Sequence, residues 1–235
     1  MSILIVGLAS CGQTISGFGF TLVSVPLLAV VMSSSQAVSV AILVSTPLAF
    51  VRAKREWHHV DWQRVKRLVP ASLLGMPLGL TVLDHLPDRP MRMFIGVVVG
   101  IAGIALASGW RLRSQGLGVD SVAGFLSGVL ATSTGTNGPP LVIGLHGSRM
   151  SPARFRATLV VVYVFANVVS LAMFWNRGLL TAKSWRLAAI CLPTMALGNL
   201  AGTRLAPKVD DRLFHRLVLS LLFLSAATAI LTALR

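Results

Sequence analysis

The first 51 residues contain no Asp, Glu, Lys, Arg or His. As one helix they would reach roughly 76 Å at ~1.5 Å per residue, against a bilayer core of ~30 Å, so this stretch turns at least once. Further runs without ionisable side chains follow at 68–83, 93–110, 121–145, 157–176, 187–203 and 217–234. Several match the ~17–25 residues of a spanning helix. Only 12% of the chain is charged, about half the ~25% typical of soluble domains. That density cannot coat a water-facing surface, so the expected class is an all-α polytopic membrane protein. The N-terminus lacks a basic flank and its apolar pattern runs straight on, so a cleaved secretory signal is not expected. The longest polar stretch, Arg52 to Arg67, is too short for a soluble domain.

The two halves resemble each other. Pro26-Leu27-Leu28 pairs with Pro140-Leu141-Val142, and Ala41-Ile42-Leu43-Val44 with Ala157-Thr158-Leu159-Val160. Pro70, Gly75 and Gly79 pair with Pro193, Gly198 and Gly202, and Asp88-Arg89 with Asp211-Arg212. Four matches in one order predict two transmembrane repeats, 1–113 and 114–235, the organisation of many transporters. The first apolar unit of each repeat is interrupted. Ser16-Gly17-Phe18-Gly19 and then Pro26 break one, and Thr132-Ser133-Thr134-Gly135-Thr136-Asn137-Gly138-Pro139-Pro140 breaks the other.

The net charge of +14 comes from 21 Lys and Arg against 7 Asp and Glu. On a soluble chain it would suggest nucleic acid; here it reports orientation, and no nucleic-acid partner is expected. If both broken units span, giving eight full spans in a 4+4 arrangement, the basic residues split 12 to 9 between the two faces. If both are re-entrant, six in 52–67, two in 111–113, three in 149–156 and four in 204–216 share one face, against six on the other. The second split fits the positive-inside rule. The expectation is therefore two inverted repeats, each a broken or re-entrant helical hairpin plus three transmembrane helices. The loop 52–67 is placed in the cytoplasm and both termini outside, in the cell membrane.

Broken backbone at membrane depth is tolerated only within protein or along a water-filled cavity. A half-helix N-terminus offers N–H donors and about half a positive charge, which favours an anion. Two such ends meeting near the midplane make an anion site without a buried cation. The candidate binding residues are Gln13, Thr14, Ser16, Gly17 and Gly19 in the first break, and Thr134, Gly135, Thr136, Asn137 and Gly138 in the second. Asn167 joins them as a polar side chain mid-span, either a contact to the solute or a bond between helices. The Gly75-xxx-Gly79 and Gly198-xxx-Gly202 pairs read as close helix packing. Cys11 and Cys191 read as packing residues, with Cys11 close enough to a break to meet a sulfur-containing solute. All seven acids lie outside the apolar runs or at their edges, which argues against a carboxylate relay through the membrane. No catalytic residues, metal site or cofactor are expected, and the chain is not expected to be an enzyme.

The run Gly12-Gln13-Thr14-Ile15-Ser16-Gly17-Phe18-Gly19-Phe20 leading to Val25-Pro26-Leu27 resembles the sulfite exporter TauE/SafE family of membrane permeases. Gly138-Pro139-Pro140-Leu141, the paired Gly-xxx-Gly helices and Gly202-Thr203-Arg204-Leu205 fit the same family. The second half departs from the glycine-rich pattern at Ala131-Thr132-Ser133-Thr134. The resemblance implies a permease for sulfur-containing anions such as sulfite, thiosulfate or organosulfonates. Its alternatives are an anion channel with the same site and a non-transporting membrane subunit.

Overall fold

A computed structural model describes residues 1–16, 19–108, 116–146, 150–205 and 211–234. Among them are ten α-helices, with no strand. They are α1 (Ser2–Ser16), α2 (Phe20–Val31), α3 (Ser34–Glu56), α4 (Trp62–His85), α5 (Asp88–Ala107), α6 (Leu117–Ser133), α7 (Gly138–His146), α8 (Pro152–Asn176), α9 (Ala182–Leu205) and α10 (Asp211–Leu234). Among the described residues three segments are long and apolar enough to cross a membrane: Ser34–His59, Trp62–His85 and Pro152–Asn176. The two broken units are pairs of short helices. At ~1.5 Å per residue α1 and α2 reach about 22 and 18 Å, and α6 and α7 about 26 and 14 Å, all short of a ~30 Å core.

The glycines fix how these limbs pack. A Cβ on Gly75 or Gly79 of α4 would run into the carbonyls of Phe125 and Val129 on α6. One on Gly124 would lie 2.7 Å from the Leu68 carbonyl, and one on Gly128 would strike that of Ser72. Numbers rise together along both helices, so α4 and α6 run parallel with backbones in contact. The Thr132 hydroxyl donates to the Met76 carbonyl at 2.7 Å. α1 and α9 repeat the arrangement, again parallel. Gly198 abuts the Gly7 carbonyl, and a Cβ on Gly202 would lie 2.8 Å from the Cys11 carbonyl. The Ser10 hydroxyl donates to the Met195 carbonyl at 2.8 Å.

Two further pairs, α5 with α10 and α3 with α8, run antiparallel. Gly96 of α5 faces Ala226 and Ile230 of α10, while Gly103 faces Phe223 and Leu222. Ser45 of α3 meets Asn167 of α8, and Thr158 of α8 accepts from the Asp61 amide just beyond α3. The 52–67 side carries ion pairs. Asp120, 1% exposed, pairs with Arg64 at 3.2 Å and Arg67 at 3.5 Å. Asp61 caps α4 through the Arg64 amide and pairs with Arg154 at 3.2 Å.

Candidate functional site

The α6–α7 turn is built by one glycine. Gly135 has φ +68°, a left-handed conformation that glycine adopts without steric cost. The Thr134 and Thr136 amides both return to the Leu130 carbonyl, at 3.0 and 3.2 Å. The chain then folds back: the Ser127 hydroxyl donates to the Asn137 carbonyl at 3.0 Å, and Gly144 packs on Ala123. The Gly135 tip touches Val25 of α2 and Val38 and Ile42 of α3. Across from it, Gly19 (φ +98°) starts α2, whose first backbone bond runs from the Val23 amide to the Gly19 carbonyl. The amides of Phe20, Thr21 and Leu22 therefore have no carbonyl partner within their helix.

These two helix starts converge on a cavity of about 40 Å³, a few times the ~10–15 Å³ that one water requires. Gln13, Gly19, Phe20, Thr21 and Leu22 line one wall, and Gly135, Asn137 and Gly138 the other. Ser45 and Ala49 of α3 and Tyr163 and Asn167 of α8 complete it. Asn137 is 8% exposed, and its Nδ2 has no hydrogen-bond partner among the described residues. The Tyr163 hydroxyl is likewise buried and unpartnered. A Cβ on Gly138 would lie 3.2 Å from that hydroxyl. Two buried donors on residues that line one cavity leave desolvation uncompensated unless a polar occupant arrives. Among the described residues no acidic or basic side chain lines the wall, so the donors and helix ends leave it electropositive without a formal charge. Among the described residues no cluster of His, Cys, Asp and Glu is placed to hold a metal ion.

Residues 2–229 match the family described as sulfite exporter TauE/SafE. The chain belongs to that family. A relative from Cupriavidus necator, named a probable sulfite/organosulfonate exporter TauE, is 25% identical across 98% of this chain and 93% of its own. Another, from Comamonas testosteroni, is named a probable inner membrane transporter protein TsaS. It is 25% identical over 78% of each chain. No solved structure matches. TauE/SafE proteins of this kind are named as transporters, not enzymes, and the apolar helices place this one in a membrane.

The fold of this TauE/SafE member brings together Gln13, Gly19, Gly135, Asn137, Gly138 and Asn167. It does not bring all the expected residues there. Thr134 and Thr136 are fully buried and turned into the turn itself, bonded to each other, with Thr134 also donating to the Leu130 carbonyl. They cap the broken helix instead of facing the cavity. Thr14 points away, to Asn199 and Arg52. Asn167 lines the wall and also donates to the Ser45 hydroxyl at 3.4 Å, so it serves both readings. Gly17 and the Ser16 side chain lie outside the described residues. Sequence reasoning left out Ser45 and Tyr163. The available signal was helical spacing, since Tyr163 and Asn167, four apart, share one face of α8.

Proposed function

We propose that the chain is a secondary transporter for small sulfur-containing anions such as sulfite, thiosulfate or organosulfonates. The anion binds between the N-termini of α2 and α7. The observation that carries this reading is the convergence of both helix starts on a cavity whose Asn137 Nδ2 and Tyr163 hydroxyl lack partners. Each helix end contributes about half a positive charge. Together they offset a monoanion while the amides of α2, Asn137 and Tyr163 donate to its oxygens. The names of the two relatives point to the same substrate class.

The two repeats, 1–113 and 114–235, are inverted in this reading. Support comes from helix direction: α5 opposes α10, α3 opposes α8, and parallel α4–α6 mirrors parallel α9–α1. A two-fold axis across the helices, in the membrane plane, relates such pairs. With the basic loop 52–67 in the cytoplasm, α1–α2 enters and leaves from outside and α6–α7 from the cytoplasm. Both termini then lie outside. Rocking of one repeat against the other would open the cavity to each face in turn.

Reconstituted vesicles test the proposal. Asn137→Leu and Gly138→Leu should each lower sulfite flux at least ~10-fold, the scale of a lost hydrogen bond to a charged group. Wild-type flux in both variants would remove the anion from this cavity. Acceleration of labelled sulfite efflux by unlabelled sulfite on the opposite side is expected of a carrier, and its absence would indicate a channel.

A further inference from the structure

One cation sits beside the cavity on different terms from the rest of the basic loop. Lys54 and Arg55 are exposed, but Arg52 is half-buried and reaches across to α1 and α9. Its Nη2 donates to Thr14 Oγ1 at 3.0 Å and to Asn199 Oδ1 at 2.7 Å. Both acceptors are neutral. Among the described residues no carboxylate forms an ion pair with Arg52, although Glu56 lies one turn further along α3. The other guanidinium nitrogens, Nε and Nη1, make no hydrogen bond to a described residue. Glu56 attracts the guanidinium across that turn without bonding it, and both of its hydrogen bonds go to neutral groups, so much of the planar fork stays available for an oxyanion.

Its position relates it to the cavity. Ala49, three residues before Arg52 on the same face of α3, lines the cavity wall, as does Gln13, the neighbour of Thr14. Three residues are about 4.5 Å along a helix axis. The corresponding position of the second repeat has no such group. At the 116-residue offset Arg52 corresponds to Val168, and Thr132, which meets α4 where Thr14 meets α9, bonds the Met76 backbone. The cation therefore marks one end of the pathway only.

We infer that Arg52, held by Thr14 and Asn199, is a second oxyanion station on the 52–67 side of the cavity, one that favours doubly charged sulfur anions. It rests on the transport reading above. In the inner cavity two helix ends balance roughly one negative charge, whereas a full cation at the mouth adds an attraction that grows with the charge of the ligand. Arg52 would thus take up a dianion and hand it one turn inward.

The test is competition against labelled sulfite flux in vesicles carrying the full chain. Thiosulfate serves as the dianion and methanesulfonate as the monoanion. Arg52→Gln should weaken inhibition by thiosulfate about 10-fold and by methanesulfonate under ~2-fold. Arg52→Lys, which keeps the charge and loses the fork, should fall between wild type and Arg52→Gln for thiosulfate. Equal weakening for both competitors, the signature of a merely structural residue, would overturn the inference. Should Arg52→Gln fail to insert, Asn199→Asp carries the test. A carboxylate beside Nη2 should produce the same selective loss for thiosulfate, and an unchanged ratio overturns the inference. If the wild type moves no sulfite, the transport reading fails and takes this inference with it. If it does move sulfite but the ratio stays fixed, only the inference fails.

Discussion

At the start of α2 the amides of Phe20, Thr21 and Leu22 are left over by the helix, whereas at the start of α7 two of the three equivalent positions are Pro139 and Pro140 and carry no N–H. The limbs before them differ too. α6 is pressed on α4 by glycines from both helices, Gly75 and Gly79 on Phe125 and Val129 and Gly124 and Gly128 on Leu68 and Ser72, while α1 meets α9 at Gly198, Gly202 and Gly7. The second break is the stiffer partner: proline-locked, glycine-packed and turned by Gly135. The first keeps the backbone donors. In the inverted-repeat reading proposed above, the second repeat frames the cavity and the first supplies the amides.

The largest expected effect lies in the frame. Gly128→Leu drives a side chain into the Ser72 backbone, which cannot retreat without separating α4 from α6. Overpacking costs about 1–3 kcal/mol where neighbours give, and more where backbone is struck. Gly202→Leu meets the Cβ of Thr14 at 2.7 Å and the Cys11 carbonyl at 2.8 Å, a looser contact. Thermal melting in detergent should show no folded Gly128→Leu and a folded, weakened Gly202→Leu. Equal losses would erase the difference in stiffness between the two breaks.

The next effect concerns the amides. Thr21 holds the second position of α2, as Pro139 does in α7. Proline is tolerated in a first helical turn, so Thr21→Pro deletes one amide donor and makes the first break resemble the second. Sulfite affinity should fall about 10-fold with the melting temperature nearly unchanged, as expected for one charge-assisted hydrogen bond. Unchanged affinity would move the anion's donors from α2 to side chains alone.

Much of this was legible in residue order. Gly19, Gly135, Pro139 and Pro140 mark the broken helices, whereas Pro26, expected to add to the first break, lies inside α2 and interrupts nothing. The spacing of Gly75 and Gly79, repeated at Gly198 and Gly202, announces close packing. The basic residues of 52–67 argue for which face lies inside. Less legible was the direction of a hydroxyl. Thr134 and Thr136 look like ligands in sequence, yet a chain leaving a helix at Gly135 needs their atoms to close its own turn. Arg52 was hidden for the opposite reason. As the first of six basic residues it reads as loop surface, and only the three-dimensional approach of Thr14 and Asn199 sets it apart.

The smallest predicted effect sharpens the same comparison and runs in two directions. Tyr163 stands where the first repeat carries Pro47 at the 116-residue offset, so its hydroxyl is another asymmetry between the halves. With no partner among the described residues, that hydroxyl contributes desolvation cost and nothing in return. Tyr163→Phe should therefore leave stability unchanged or raise it by about 1 kcal/mol, the lower end of the penalty for an unsatisfied buried group. Sulfite flux should meanwhile fall by ~3-fold or more, since the donor's use comes only with the anion bound. A group kept for packing would show the reverse, lower melting and intact flux. Melting and flux measured on the same preparation decide whether the α8 face of the cavity belongs to the site or to the scaffold.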